Sequence, residues 1–165
     1  MPYSRETKNR RVSEAAVDYG ATVPTATSGQ HEYLSLLGLR SFDTASLLKK
    51  LDEGLSYAAF ERLKRRLDVT SQELADAALI NRRTLARRKS AGRLGPDESD
   101  RLVRVSRVFG RAIELFEGNV EGARSWLMHP VMGLGGAVPF EMLKTEVGAL
   151  EVERLIARLE HGVLS

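Results

Sequence analysis

The sequence predicts an all-α protein, and three observations carry that prediction. Apolar residues recur at three- and four-residue spacing through most of the chain. The periodic stretches begin at Ser, Thr or Asn and end at Gly or Pro, the residues that start and stop helices. No stretch carries the alternating pattern of a strand, and no internal repeat is present.

Taken in order, residues 1–28 read as a flexible segment. "YGATVPTATSGQ" is rich in Gly, Thr, Pro and Ala without a sustained period, apart from a short candidate helix at Ser13–Asp18. "HEYLSLLGL" predicts a short apolar helix closed by Gly38, and "SFDTASLLKKLDEG" a helix with Leu47, Leu48 and Leu51 on one side and a stop at Gly54. In "LSYAAFERLKRRLD" Ser56 is a candidate cap, and Phe60, Leu63 and Leu67 form an inner stripe. Thr70 followed by Glu73 has capping-box spacing ahead of "SQELADAAL". Asn81 is a candidate cap for "RRTLARRKSAG", which stops at Gly92. Pro96 and two acidic residues open the longest periodic stretch, whose apolar positions are Leu102, Val105, Val108, Phe109, Ala112, Ile113 and Phe116. It is the expected spine. A helix ended by Pro130, a "VMGLGGAVP" loop, a short "PFEMLKT" helix and an amphipathic "VGALEVERLIARLEHG" helix, apolar through Val152, Leu155, Ile156 and Leu159, complete the chain.

At 165 residues, 42% of them hydrophobic, the chain suits one domain or two small ones. It contains no cysteine, which excludes a disulfide framework, a thiol nucleophile and a cysteine zinc site, and suits a reducing cytoplasm. The N-terminus lacks the apolar core of a secretory signal, and no apolar run reaches the length of a membrane span. Charge is uneven: ten basic residues face four acidic ones between Glu61 and Arg93, a balance of +6, whereas four face seven between Glu117 and Ser165, a balance of −3. A basic middle and an acidic end point to two surfaces with different partners. His31, His129 and His161 are too scattered for a metal or catalytic site, and no carboxylate pair is recognisable. No enzyme activity, metal or cofactor is expected. "GLGG" reads as a turn, Trp126 as a core residue, and His129 as a helix-end residue.

The charge peaks in "NRRTLARRK", where five of nine residues are basic. Such a run is either a solvated face or a surface for an anion. Here it falls on the second of two short helices with a tight junction: Leu74 and Ala75 face inward from the first, Ile80 lies at the turn, and Leu85 faces inward from the second. In this stretch the chain resembles the Xre, lambda-repressor-like, helix-turn-helix family. It departs from that pattern at Leu79, where a glycine is usual, and at Arg88, which stands at an apolar position. In a helix-turn-helix the second helix enters the major groove. Arg82, Arg83, Thr84 and Arg87 would then approach base edges, where arginine's fork matches guanine. Ser71, Gln72, Arg88, Lys89 and the Lys64–Arg66 cluster would meet phosphates. Two-fold operators imply a homodimer.

The second half resembles the antitoxin Xre/MbcA/ParS toxin-binding domain. The resemblance rests on the order of Ala112–Phe116, Ala123, Trp126–Leu127, Pro130, Leu134–Gly136, Pro139, Leu143, Thr145 and the closing "ARLEHG". It implies a helix-turn-helix domain over 29–94 and a helical toxin-binding domain over 95–165. It also implies a cytoplasmic bacterial antitoxin of a type II module, whose partner is a RES-domain toxin that depletes NAD⁺ and whose operator DNA is its own. The last helix is the expected toxin contact, through Glu151, Arg154, Arg158, Glu160, His161, Gly162 and Val163, with Glu151, Glu153 and Glu160 forming an acidic outer side. A larger toxin–antitoxin complex would follow. The alternatives are a stand-alone Xre-type transcriptional regulator and a pure interaction adaptor that no longer binds DNA.

Overall fold

A computed structural model describes residues 32–40 and 43–162. The expected flexible segment 1–28, the Ser13–Asp18 helix, and His31, Ser41, Phe42 and Val163 lie outside the described residues. Within them the chain forms α1 (Thr44–Glu53), α2 (Tyr57–Leu67), α3 (Ser71–Ala77), α4 (Arg82–Ala91), α5 (Pro96–Leu115), α6 (Val120–Met128), α7 (Pro139–Met142) and α8 (Glu146–Glu160). Two 3₁₀ helices, Glu32–Leu37 and Met132–Leu134, complete the fold. No strand forms among the described residues, and the all-α prediction holds.

The cap residues act largely as their chemistry requires. Asp43, Thr70, Asn81, Asn119 and Thr145 each accept a backbone N–H in the first turn of the helix they precede. Ser56 occupies the cap position of α2 but makes no such bond. Instead the backbone around it joins the α4–α5 junction: Tyr57 N–H donates to Gly92 and Leu94 N–H to Leu55. Gly54 sits where those two segments touch. Its φ is 81°, and a Cβ there would lie 2.1 Å from the Leu94 carbonyl oxygen, so no other residue fits.

α5 is the spine. Leu102, Val105, Val108, Phe109 and Ala112 are buried along it. The Glu32–Leu37 helix, α1, α6 and α8 all pack against it. The buried residues form one continuous cluster from Leu34 to Ile156. Phe60, Leu63 and Leu67 are buried as expected, and Trp126 packs against that cluster, its ring 6.4 Å from that of Phe116. Leu48 is the exception: it is 57% exposed. It follows Leu47 by one position, about 100° round a helix, and α1 buries only the narrow strip through Leu47. No described helix is long and apolar enough to cross a membrane.

Candidate functional site

The α3–turn–α4 unit is built by local backbone chemistry. Thr70 and Glu73 form a reciprocal capping box, with Thr70 N–H donating to the Glu73 carboxylate at 2.7 Å and Glu73 N–H to Thr70 Oγ1 at 3.2 Å. The Thr70 N–H and the Thr70 hydroxyl, both donating to the Glu73 carboxylate at 2.7 Å, hold it below its ordinary range. α3 then ends in a Schellman turn. Leu79 N–H donates to Asp76 at 3.1 Å and Ile80 N–H to Ala75 at 2.7 Å. Leu79 supplies the left-handed residue, with φ 53°, and its side chain is left exposed. The turn thus forms with its usual hydrogen bonds although no glycine is present. Buried Ile80 lies over Ala75, and Asn81 opens α4 by accepting Thr84 N–H at 2.8 Å.

α4 buries Leu85 alone. Arg82, Arg83 and Arg87 are exposed and form no ion pair among the described residues. Thr84 is half-buried beside them and Lys89 is exposed. Ser71 and Gln72 stand at the start of α3. Ser71 accepts from Lys64 at 3.3 Å, and Gln72 donates to Asp76 at 2.7 Å.

Arg88 lies elsewhere. Its Nε donates to both carboxylate oxygens of Glu98, at 3.0 and 2.8 Å. Glu98 is only 7% exposed and also accepts the N–H of Gly95 at 2.7 Å. Burial pushes the Glu98 carboxyl up, but the Arg88 and Gly95 bonds outweigh it and leave the group below its ordinary range. The arginine at the expected apolar position therefore fills that position by pairing with a carboxylate from α5. Arg101 of α5 makes a second tie, donating to the Ala78 carbonyl at the end of α3 at 2.7 Å. Both helices of the motif are hung from the first turns of α5.

Three of the seven carboxylates of the acidic end are paired by the same helix. Arg104, Arg107 and Arg111 run down one side of α5, and Glu146, Glu153 and Glu160 down the facing side of α8. Arg104 pairs with Glu146 at 2.8 Å, Arg107 with Glu153 at 2.8 Å and Glu146 at 3.0 Å, and Arg111 with Glu160 at 2.8 Å. Burial raises the Glu146 carboxyl, and the two arginines more than reverse that. The expected acidic outer side must be corrected accordingly: Glu153 and Glu160 are bound to α5, and Glu151 is bound to Arg154 on its own helix. Arg158 makes no ion pair among the described residues. His161 and Gly162 are exposed at the end of α8.

Two further expectations concern the junction ahead of α8. The "GLGG" stretch is a turn, closed by Val131 N–H to Ala137 at 3.0 Å and Gly136 N–H to Val131 at 3.0 Å. His129 ends α6, its Nδ1 2.7 Å from the Ser125 carbonyl. Sequence reasoning missed the Arg88–Glu98 pair and the α5–α8 ladder. The ladder had a signal, since basic residues at 104, 107 and 111 and acidic ones at 146, 153 and 160 each keep helical spacing.

Residues 46–107 match the antitoxin Xre-like helix-turn-helix domain, and residues 111–162 match the antitoxin Xre/MbcA/ParS C-terminal toxin-binding domain. The chain is 36% identical over 143 residues to the antitoxin Xre of Yersinia enterocolitica serotype O:8 / biotype 1B, covering 86% of this chain and 97% of that one. It is 38% identical over 116 residues to the antitoxin Xre of Photorhabdus laumondii subsp. laumondii, covering 70% of this chain and 78% of the relative. A more distant relative, 24% identical over 142 residues, is the Prs ADP-ribosylating antitoxin of a Sphingobium species, with 81% of this chain and 87% of that one covered.

Proposed function

This chain belongs to the Xre antitoxin family, and from that premise we propose that it neutralises a RES-domain, NAD⁺-depleting toxin by direct binding and represses its own operon. That it is an antitoxin of a toxin–antitoxin system follows from the family; the identity of the toxin and the repression are the proposal. The observation that carries it is the pairing, on one continuous helix, of a helix-turn-helix at the start of α5 and a toxin-binding domain built on the rest of it.

In this reading α4 lies in the major groove. Arg82, Arg83 and Arg87 read base edges with Thr84 beside them, and Lys89, Ser71 and Gln72 hold phosphates. The unpaired state of the three arginines supports it, because their charge is uncompensated without an anion. Arg88 is assigned to holding α4 in place. A homodimer presents two such helices to half-sites about 34 Å apart. The toxin is met by the C-terminal domain, with Arg154, Arg158 and the His161–Gly162 end of α8 in the contact.

The test is co-expression with the neighbouring gene. Restored growth, a preserved NAD⁺ pool and co-purification of the two proteins are expected. A neighbour that is harmless alone and does not co-purify, together with specific binding of upstream DNA, replaces this reading with a stand-alone regulator.

A further inference from the structure

Five large apolar side chains are exposed among the described residues, and three of them belong to the toxin-binding half: Met132 at 89%, Val147 at 73% and Leu150 at 40%. Leu150, Glu151, Arg154 and Arg158 stand three, four, seven and eleven residues on from Val147, so the five share one face of α8. Ala149, Val152 and Ile156 are buried on the other side. The Met132–Leu134 turn lies along the edge of this outer face. Gly133 approaches Leu155 so closely that a Cβ would sit 2.7 Å from Leu155 Cδ1. Met132 therefore projects beside α8 from a turn that is itself packed down.

The charge of the face follows from the ladder. Glu146, Glu153 and Glu160 are taken up by α5, and Glu151 by Arg154, which leaves Arg158 without an ion pair among the described residues. The surface offered is an apolar patch of Val147, Leu150 and Met132 beside the Glu151–Arg154 pair, with one uncompensated cation at its end. We propose that this face of α8, with Met132 at its side, is the surface that docks the toxin, and that the toxin meets it with an apolar depression bordered by a carboxylate facing Arg158. The proposal rests on the antitoxin reading and specifies where and with what chemistry the toxin binds.

The match of residues 111–162 to a toxin-binding domain points to this occupant, and the chemistry of the face disfavours two others. A two-fold contact with a second copy sets the face against itself. Arg158 would then find only Glu151, already bonded to Arg154. Nucleic acid fits worse: a single unpaired arginine beside Met, Val and Leu offers little to a phosphate backbone, whereas α4 carries three. Met and Arg are the side chains enriched at protein interfaces, and fixed apolar anchors carry most of the affinity there.

The experiment measures binding of the full chain to the toxin purified from co-expression, for the wild type and for Val147→Asp, Leu150→Asp, Arg158→Glu and Arg158→Lys. The two aspartate variants and Arg158→Glu are expected to weaken binding about thirtyfold or more, and Arg158→Lys far less. Melting temperature and sedimentation mass are expected to match the wild type, since all three side chains are exposed. If the wild type binds and Val147→Asp and Leu150→Asp bind as tightly, the proposed face is wrong and the antitoxin reading stands. If those variants dissociate into monomers that still bind toxin, the face is a self-contact and the proposal falls. If the wild type itself neither binds nor protects, the antitoxin reading fails and the surface with it.

Discussion

Replacing Glu98 by alanine removes the acceptor of three hydrogen bonds, two from Arg88 Nε and one from Gly95 N–H. A hydrogen bond to a charged group contributes about 1.5–3 kcal/mol net, and loss of an N-terminal cap adds about 1 kcal/mol. Glu98 is buried and Arg88 is partly exposed, so solvent recovers some of the arginine's loss. We expect a destabilisation of about 2–4 kcal/mol and, at this chain length, a melting temperature lower by about 5–15 °C. Arg88→Ala costs about as much: the Gly95 bond remains, but the buried carboxylate loses its charged partner. The pH dependence has a definite sign. The folded Glu98 carboxyl titrates below its ordinary 4.5, so its contribution is fully present above that pH and is lost as pH falls through the lower folded value. Glu98→Gln should flatten the acid side of the melting curve. DNA binding separates two roles for Arg88. If it positions α4, Glu98→Ala weakens operator binding as Arg88→Ala does. If it is a phosphate contact, removing the nearby carboxylate strengthens binding. Circular dichroism melts between pH 3 and 7 and operator titrations read all of this. A Glu98→Ala variant that melts within 2 °C of wild type at pH 7, judged against the roughly 2–4 °C expected per kcal/mol, refutes the reasoning.

Three other outcomes are expected. Leu79→Gly relieves a left-handed backbone worth about 1–2 kcal/mol and gives back part of it in unfolded-state entropy, for a net gain of about 0.5–1 kcal/mol, visible as a higher urea midpoint with unchanged slope. Arg82→Ala or Arg83→Ala costs about 1–3 kcal/mol on the cognate operator and relaxes base preference, whereas Lys89→Ala weakens binding to all sequences alike and lowers the salt slope by about one; identical behaviour of all three places α4 outside the groove. Arg107→Ala leaves Glu153 and Glu146 short of a partner and costs about 1–2 kcal/mol after discounting for solvent screening, with the loss fading as pH falls below the ordinary 4.5 and through the lower folded value of Glu146; a loss that does not shrink on acidification contradicts the ladder as its cause.

The helix-turn-helix half was legible because its signals are local. Thr70, Glu73 and Asn81 act on backbone groups three residues away, and a spacing in sequence is then a distance in space. Leu79 shows the limit of such reasoning. A residue poorly suited to a left-handed turn adopts it anyway, since Leu79 and Ile80 N–H each find a carbonyl there and Ile80 is buried, which together outweigh about 1–2 kcal/mol of backbone strain. The pairing of Arg88 was not legible for a different reason: its partner, Glu98, lies ten residues away on the next helix, and no local period reports a pairing across a junction.

The same reasoning explains why the acidic end was read as a surface. A count of carboxylates between Glu117 and Ser165 records the charge of a segment, not of a face. The face depends on what the neighbouring helix brings, and α5 brings Arg104, Arg107 and Arg111. Once Glu146, Glu153 and Glu160 are engaged, the exposed side of α8 is no longer acidic, and Val147, Leu150 and Met132 stand out beside the Glu151–Arg154 pair and Arg158. Gly148 fixes the orientation that makes this so. A Cβ there would lie 2.1 Å from the Met142 carbonyl oxygen, so α8 rests on the turn after α7 with its first turn held down and Val147 facing out. Any bulkier residue at 148 forces that first turn away from α7, displaces Glu146 from Arg104 and Arg107, and disturbs the ladder and the outer face together.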